Sequence, residues 1–200
     1  ARASQDDQGA LAEIEALHEV IPIARNQRME IGRYDYWSRY FSLPLHLGTT
    51  LESLPAEPYL RAPADRRARW TGRSRVGVMW RTSPTGFAAG VKTAPDDQAQ
   101  RLLDRGAVSL QPEHTGVEDF ADTAAIIEGL DLVISVDTSV AHLAGAMGKP
   151  CWTLLPAVGV DWRWMRDRRD SPWYPSMRLF RQRQPGDWSS VIDDVIAALG

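Results

Sequence analysis

Short apolar runs and amphipathic stretches alternate along residues 75–200, and the alternation predicts strands and helices in turn. Arg75-Val76-Gly77-Val78-Met79-Trp80 reads as a strand, followed by a polar, glycine-containing loop through Lys92 and Thr93. Asp96 to Asp104 predicts a helix ending before Gly106, and Ala107-Val108-Ser109-Leu110-Gln111 a short strand. Glu118 to Leu130 predicts a helix with Ala121, Ala124, Ala125 and Ile127 available for packing. Leu132 to Val136 is a continuous apolar run of the kind buried on both faces of a parallel sheet. The helix after it stops at Gly148, with Pro150 just beyond. Cys151 to Leu155 is the next strand, and a loop rich in Trp and Arg leads to Met177-Arg178-Leu179-Phe180. The final helix follows Gly186-Asp187 and gathers Val191, Ile192, Val195, Ile196 and Leu199 on one face. Strands alternating with helices in this way imply an α/β fold with a doubly wound parallel sheet. In such folds ligands sit at the carboxyl ends of the strands.

Residues 1–70 break the pattern. Ala10 to Val20 has helical periodicity, and His18 to Ala24 continues it toward a strand. Leu43-Pro44-Leu45-His46-Leu47-Gly48 and the prolines at 55, 58 and 63 read as irregular, linker-like chain. The expected division is a partial amino-terminal region and linker over 1–70 and the sheet domain over 71–200. Neither part shows an internal repeat or a low-complexity segment.

Composition narrows the function classes. With 44% hydrophobic and 24% charged residues, the chain has the make-up of a globular protein rather than a disordered one. A net charge of -3 gives no electrostatic case for nucleic acid or an anionic membrane. The arginine groups at 66, 67 and 69 and at 163, 166, 168 and 169 are interleaved with acids and apolar residues, which reads as solvated surface. The one cysteine, Cys151, allows no intrachain disulfide and fits a reducing, cytoplasmic setting. Its place in an apolar run marks a buried structural thiol rather than a nucleophile. No apolar run reaches the length of a membrane span. The four histidines, at 18, 46, 114 and 142, are scattered without metal-ligand spacing, and no Asp-x-Asp pair occurs, so no metal and no cofactor are expected.

Candidate chemistry concentrates at one junction. In DLVISVDTSVAHLAGAMGKP, residues 131–150, a strand runs into Asp137, Thr138 and Ser139 and then into a helix of small residues. Any of the three can cap the unpaired N–H groups of the first turn. That helix start carries partial positive charge and free donors, which suits a phosphate. His142 follows Thr138 by four residues and lies on the same side, one turn up. The cluster also reads simply as a good helix cap beside a hydrogen-bonded histidine, so residue types alone leave ligand site and cap as two open readings.

The stretch SVDTSVAHLAGAMGKPCWTLLP resembles the donor-binding motif of family 9 glycosyltransferases, the heptosyltransferase-like enzymes of GT-B fold. The likeness is closest to bacterial proteins that join such a domain to tetratricopeptide repeats. SLPLHLGTTLESLPAEPYL, RVGVMW, VSLQ, DFADTAAIIEGLDLVIS, DWRWMRDRRDSPWYPSMRLFRQ and GDWSSVI keep the same order, together covering roughly residues 34–200. The resemblance implies a Rossmann-like, carboxyl-terminal half of a GT-B enzyme that transfers a hexosyl or heptosyl group from a nucleotide-sugar to an acceptor hydroxyl, without a metal. The nucleotide-sugar is then the substrate, the acceptor is unidentified, and repeats belong to the parent protein. Carried over by residue, Asp137, Thr138, Ser139 and His142 would contact the diphosphate and sugar, and Lys92 would supply the cation for the phosphates. Arg81, Thr93, Ser109, Gln111 and Asp119 would lie around the nucleotide, with a strand-end or cap role as their alternative.

The chain departs from the family in two places. Where the family has a loop of the form Trp-Ala-Gly-Asn-Pro with a later His and Asn-Asp, this sequence reads WRTSPTGFAAGVKT. It keeps Pro84 and Lys92 but loses the polar residues between, and Arg81 is unusual there. The family's base is an acid near the start of the acceptor-side half, and residues 1–70 are expected to hold only part of that half. Asp6 and Asp7 are acids close to the start of the chain, in what reads as a frayed terminus, and the catalytic base is left unassigned. A non-catalytic, degenerate binding or scaffold module is therefore the alternative function. A dinucleotide-dependent dehydrogenase is disfavoured because no Gly-x-Gly-x-x-Gly follows any strand. Four of the eight tryptophans, Trp162, Trp164, Trp173 and Trp188, fall after the Cys151–Leu155 strand. Packing onto the sheet is the expected role, with a platform for a base or sugar ring as the second.

Overall fold

The structure, a computed structural model, describes residues 32–33, 35–67, 70, 75–86 and 88–200. The helix expected over Ala10 to Val20, its continuation to Ala24, and Asp6 and Asp7 lie outside the described residues. Two compact units divide at Leu54 and Pro55. In the first, a 3-10 turn, Tyr40–Ser42, runs into a one-turn helix α1 (Leu43–His46), where Pro44 sits in the first turn and Gly48, at φ 63°, ends it. Proline is tolerated there because the first-turn N–H groups have no helical partner.

The second unit carries the sheet. In chain order its elements are α2 (Ala64–Arg67), β1 (Val76–Met79), α3 (Ala89–Lys92), α4 (Asp96–Leu103), β2 (Val108–Ser109), α5 (Pro112–Thr115), α6 (Phe120–Gly129), β3 (Leu132–Val136), α7 (Ser139–Ala146), β4 (Cys151–Leu155), β5 (Met177–Arg181) and α8 (Trp188–Leu199). The five strands are all parallel, in the order β2-β1-β3-β4-β5. This is a Rossmann-like, doubly wound α/β sheet whose order reverses between β1 and β3. A crevice therefore opens beyond the carboxyl ends of those two strands.

Alternation along each strand builds two cores. On one face Val78, Ile134, Val136, Leu154 and Phe180 meet Ala99 and Leu102 of α4 and Val191, Ile192 and Val195 of α8. On the other, Met79, Val133, Leu155 and Leu179 meet Ile127 of α6 and Val140, Ala141 and Ala144 of α7. Each fully buried aliphatic side chain contributes about 1.5–3 kcal/mol. Cys151 lies in the second core, where burial pushes its thiol up to about 12, so the thiolate is suppressed and the residue packs as a small apolar group.

Small residues set the spacing of the layers. A Cβ on Gly145 of α7 would stand 2.5 Å from Tyr174 Cγ and 2.6 Å from Met177 Cε, so helix and loop approach as closely as a glycine allows. Gly145→Ala is expected to lower the unfolding free energy by about 1–2 kcal/mol, overpacking outweighing the gain in helix propensity. Urea denaturation measures it, and an unchanged midpoint would show that Tyr174 is not held against the helix.

The Pro55–Arg67 stretch, expected to be linker-like, packs against the sheet unit. The N–H groups of Tyr59 and Leu60 donate to the Ala146 carbonyl at 2.9 and 3.1 Å. Arg66 reaches Asp122 Oδ1 at 2.9 Å and Asp119 Oδ2 at 3.2 Å. Arg66 is thus a tie between α2 and the start of α6 rather than a solvated charge, because two buried carboxylates face it across the helix end. Arg163 and Arg168 pair locally with Asp161 and Asp170, at 3.0 and 2.6 Å.

Candidate functional site

Lys92 and Asp137 meet across the switch point. Lys92 ends α3, in the connection after β1, and Asp137 is the first residue past β3. Lys92 Nζ lies 2.7 Å from Asp137 Oδ2, and the two form an ion pair. The other carboxylate oxygen, Oδ1, accepts the indole N–H of Trp164 at 2.8 Å. The Asp137 side chain is 3% exposed and that of Lys92 13%. Electrostatic attraction in such a half-dry place is stronger than at the surface.

α7 begins beside this pair. Thr138 is its cap, the side-chain hydroxyl accepting from the Val140 N–H at 3.2 Å and lying 3.1 Å from Ser135 Oγ. Ser139, the first helical residue, is exposed. His142, one turn on, turns Nε2 toward Asp137 Oδ1 at 4.0 Å and Nδ1 toward the Tyr174 hydroxyl at 3.2 Å. Its ring stacks on that of Trp164, centroids 5.0 Å apart and planes at 23°. Burial lowers the His142 pKa below the ordinary histidine value, with Asp137 opposing that shift. The ring is neutral near pH 7 and offers one donor and one acceptor. Burial also raises the Tyr174 pKa, so its hydroxyl keeps its proton.

Lys92, Asp137, Thr138, Ser139 and His142 therefore come together in one place. The second group does not join them in one cluster. Arg81 is held by Asp96 at 2.6 Å and Glu113 at 3.2 Å. Thr93 accepts the Thr82 N–H through its hydroxyl. Ser109 Oγ lies 2.7 Å from His114 Nδ1 and accepts from the Gln111 N–H. Gln111 is buried, and its side-chain nitrogen lacks a hydrogen-bond partner. Asp119 caps α6, accepting from the Asp122 N–H at 2.8 Å, and pairs with Arg66.

A cavity of about 1000 Å³ opens past the ends of β4 and β5, lined by Val158, Trp162, Arg166, Arg181 and Arg183 among others, with neither Lys92 nor Asp137 in its wall. The loop after β4 joins it to α3: a Cβ on Gly159 would stand 3.2 Å from Val91 Cγ2. The tryptophans divide by place. Trp164 and Trp188 are buried, whereas Trp162 is 62% exposed at the cavity wall, with the Arg163 guanidinium 4.7 Å over its ring. Sequence reasoning missed Trp164 as the partner of Asp137. The available signal was physical, since a buried indole N–H needs an acceptor.

Among the described residues no three His, Cys, Asp or Glu side chains converge to hold a metal ion. No helix among them is long and apolar enough to cross a membrane.

Comparison with known proteins finds a family match over the middle of the sheet unit. Residues 93–157, from the end of α3 to just past β4, match the family described as glycosyltransferase family 9 (heptosyltransferase). Protein FlbA of Caulobacter vibrioides is 26% identical over 201 aligned positions, which take in 84% of this chain. The chain spans about a third (33%) of that relative's length. No solved structure matches the chain.

Proposed function

We propose that the Pro55–Gly200 unit binds the diphosphate of a nucleotide-sugar at the start of α7 and serves sugar transfer to an acceptor hydroxyl. The observation that carries this reading is the Lys92–Asp137 pair, drawn from both sides of the switch point to the start of a helix capped by Thr138. The glycosyltransferase match over residues 93–157 takes in Asp137 and the Ser139–Ala146 helix and supports the reading, while Lys92 lies just before it.

Charge decides the roles. A carboxylate facing a diphosphate would repel it, and both oxygens of Asp137 are already turned to Lys92 and Trp164. Asp137 therefore holds the cation, and Lys92 with the first-turn N–H groups of α7 meets the phosphates. The acceptor oxygen attacks the anomeric carbon while the bond to the diphosphate breaks. The electron pair leaves on the diphosphate oxygen, where Lys92 stabilises it without a metal. The hydroxyl proton passes to a base that no described residue is assigned to supply. Ser139 and His142 are assigned to sugar or ribose hydroxyls, and the cavity past β4 and β5, whose Gly159 approaches Val91 of α3, is assigned to the glycosyl and acceptor groups.

Thermal unfolding tests the binding step. A nucleoside diphosphate at one hundred times its Kd adds about 2.7 kcal/mol of stability. At about 2–4 °C per kcal/mol for a chain of this size, Tm is expected to rise by about 5–10 °C. No rise with ADP, UDP, GDP or CDP would remove this reading.

The second reading, a non-catalytic binding module, is favoured by the internal engagement of Arg81, Ser109 and Asp119. Release of nucleoside diphosphate from a nucleotide-sugar separates the two: binding without any turnover supports the module.

A further inference from the structure

Trp164 enters the site from the connection between β4 and β5, far along the chain from Asp137. Its indole is buried, donates to Asp137 Oδ1 and stacks on His142. The turn that carries it is fixed on both sides. Asp161 caps it by accepting the Arg163 N–H at 3.0 Å, and Arg181 donates to the Trp164 carbonyl. The backbone adds a further sign. Among the described residues, the non-glycine residues with left-handed φ are Ala88, at 58°, and Met165, at 53°. Ala88 directly precedes α3, which carries Lys92, and Met165 directly follows Trp164. Strained conformations of this kind persist only where the surroundings over-determine them. Here they stand at the two ends of the chain of contacts Lys92–Asp137–Trp164.

We infer that Trp164 is a positioning residue for Lys92: its N–H fixes the Asp137 carboxylate so that the second oxygen alone holds the ammonium near the first turn of α7. With the N–H removed, the carboxylate is free to turn both oxygens onto Lys92, which then offers less charge to an incoming anion. The inference rests on the diphosphate reading of this site.

Inorganic pyrophosphate is the probe, titrated calorimetrically into the chain. Trp164→Phe keeps the aromatic packing and deletes the donor, and is expected to bind about tenfold more weakly than the wild type. Asp137→Asn also weakens binding, and the double variant binds no more weakly than Asp137→Asn alone, because the N–H acts only through that carboxylate. A role in packing alone gives additive losses. A spectroscopic readout accompanies this: the Trp164 indole N–H proton resonance, assigned through the backbone, shifts in Asp137→Ala, which removes its acceptor. Absence of pyrophosphate binding by the wild type overturns the diphosphate reading and the positioning role with it. Binding by the wild type with equal affinity in Trp164→Phe, or additive losses in the double variant, overturns the positioning role alone. Should Trp164→Phe not fold, an unmoved indole resonance in Asp137→Ala overturns it instead.

Discussion

Lys92→Ala is expected to weaken binding of pyrophosphate and nucleoside diphosphates by about a hundredfold, because a charge-assisted contact to phosphate in a largely buried place contributes about 2–3 kcal/mol. The loss has two sources. The ammonium that meets the anion is gone, and the Asp137 carboxylate it neutralised is left beside the binding place with the Trp164 N–H and the nearby, neutral His142 ring as partners. Calorimetric titration measures the effect, and Lys92→Arg separates its parts. A guanidinium keeps the charge but not the compact shape of an ammonium, so it restores some affinity without restoring all. Lys92→Ala binding as tightly as the wild type would place the anion elsewhere. The Arg-lined cavity past β4 and β5 would then be the next place to look.

Most of the sheet was legible in the sequence, and the reasons are local. β3 and β4 occupy the expected residues because continuous apolar runs bounded by Asp131, Asp137 and Pro150 have no other economical place than the middle of a parallel sheet. β2 is shorter than its apolar run, covering Val108–Ser109 instead of Ala107 to Gln111. Among the described residues it is an edge strand with β1 as its sole neighbour, and Pro112 ends the ladder soon after. The loop expected to run through Lys92 contains a turn of helix, Ala89–Lys92, entered through the left-handed Ala88. Pro84, Gly86 and Gly90 signalled irregular chain there, yet it is this turn that carries Lys92 to Asp137.

The candidate site was legible in part. Asp137, Thr138 and His142 lie within one strand-to-helix junction, so spacing alone brings them together. Lys92 was placed by resemblance, and the sheet order explains why it arrives: β1 and β3 are neighbours, so the connections that follow them share one crevice. Trp164 and Tyr174 were not legible, because each reaches His142 across the sheet's long final connection, and no local period records such a contact. Arg66 was hidden for the same reason, since its acids lie beyond β1 and β2.

Asp137→Ala tests what the pair is for. Removing the carboxylate leaves the Lys92 ammonium without its counter-charge and the Trp164 N–H without its acceptor, in a poorly hydrated place. Breaking one partner of a buried pair costs about 3–5 kcal/mol. For a chain of this size, at about 2–4 °C per kcal/mol, Tm is expected to fall by about 6–20 °C, read by calorimetry. Asp137→Asn falls less, because its amide oxygen still accepts from Trp164. The decisive comparison is Lys92→Met with Asp137→Leu, which replaces both charges by apolar groups. Buried ion pairs are often neutral or worse for stability than such replacements, because desolvation offsets their attraction. The double variant is therefore expected to recover most of the stability that Asp137→Ala loses while binding no pyrophosphate. Recovery of stability without binding marks the pair as held for the anion. A double variant as unstable as Asp137→Ala would make the pair a structural element of the α3–β3 contact, and the presence of a cation beside the first turn of α7 would no longer argue for a phosphate.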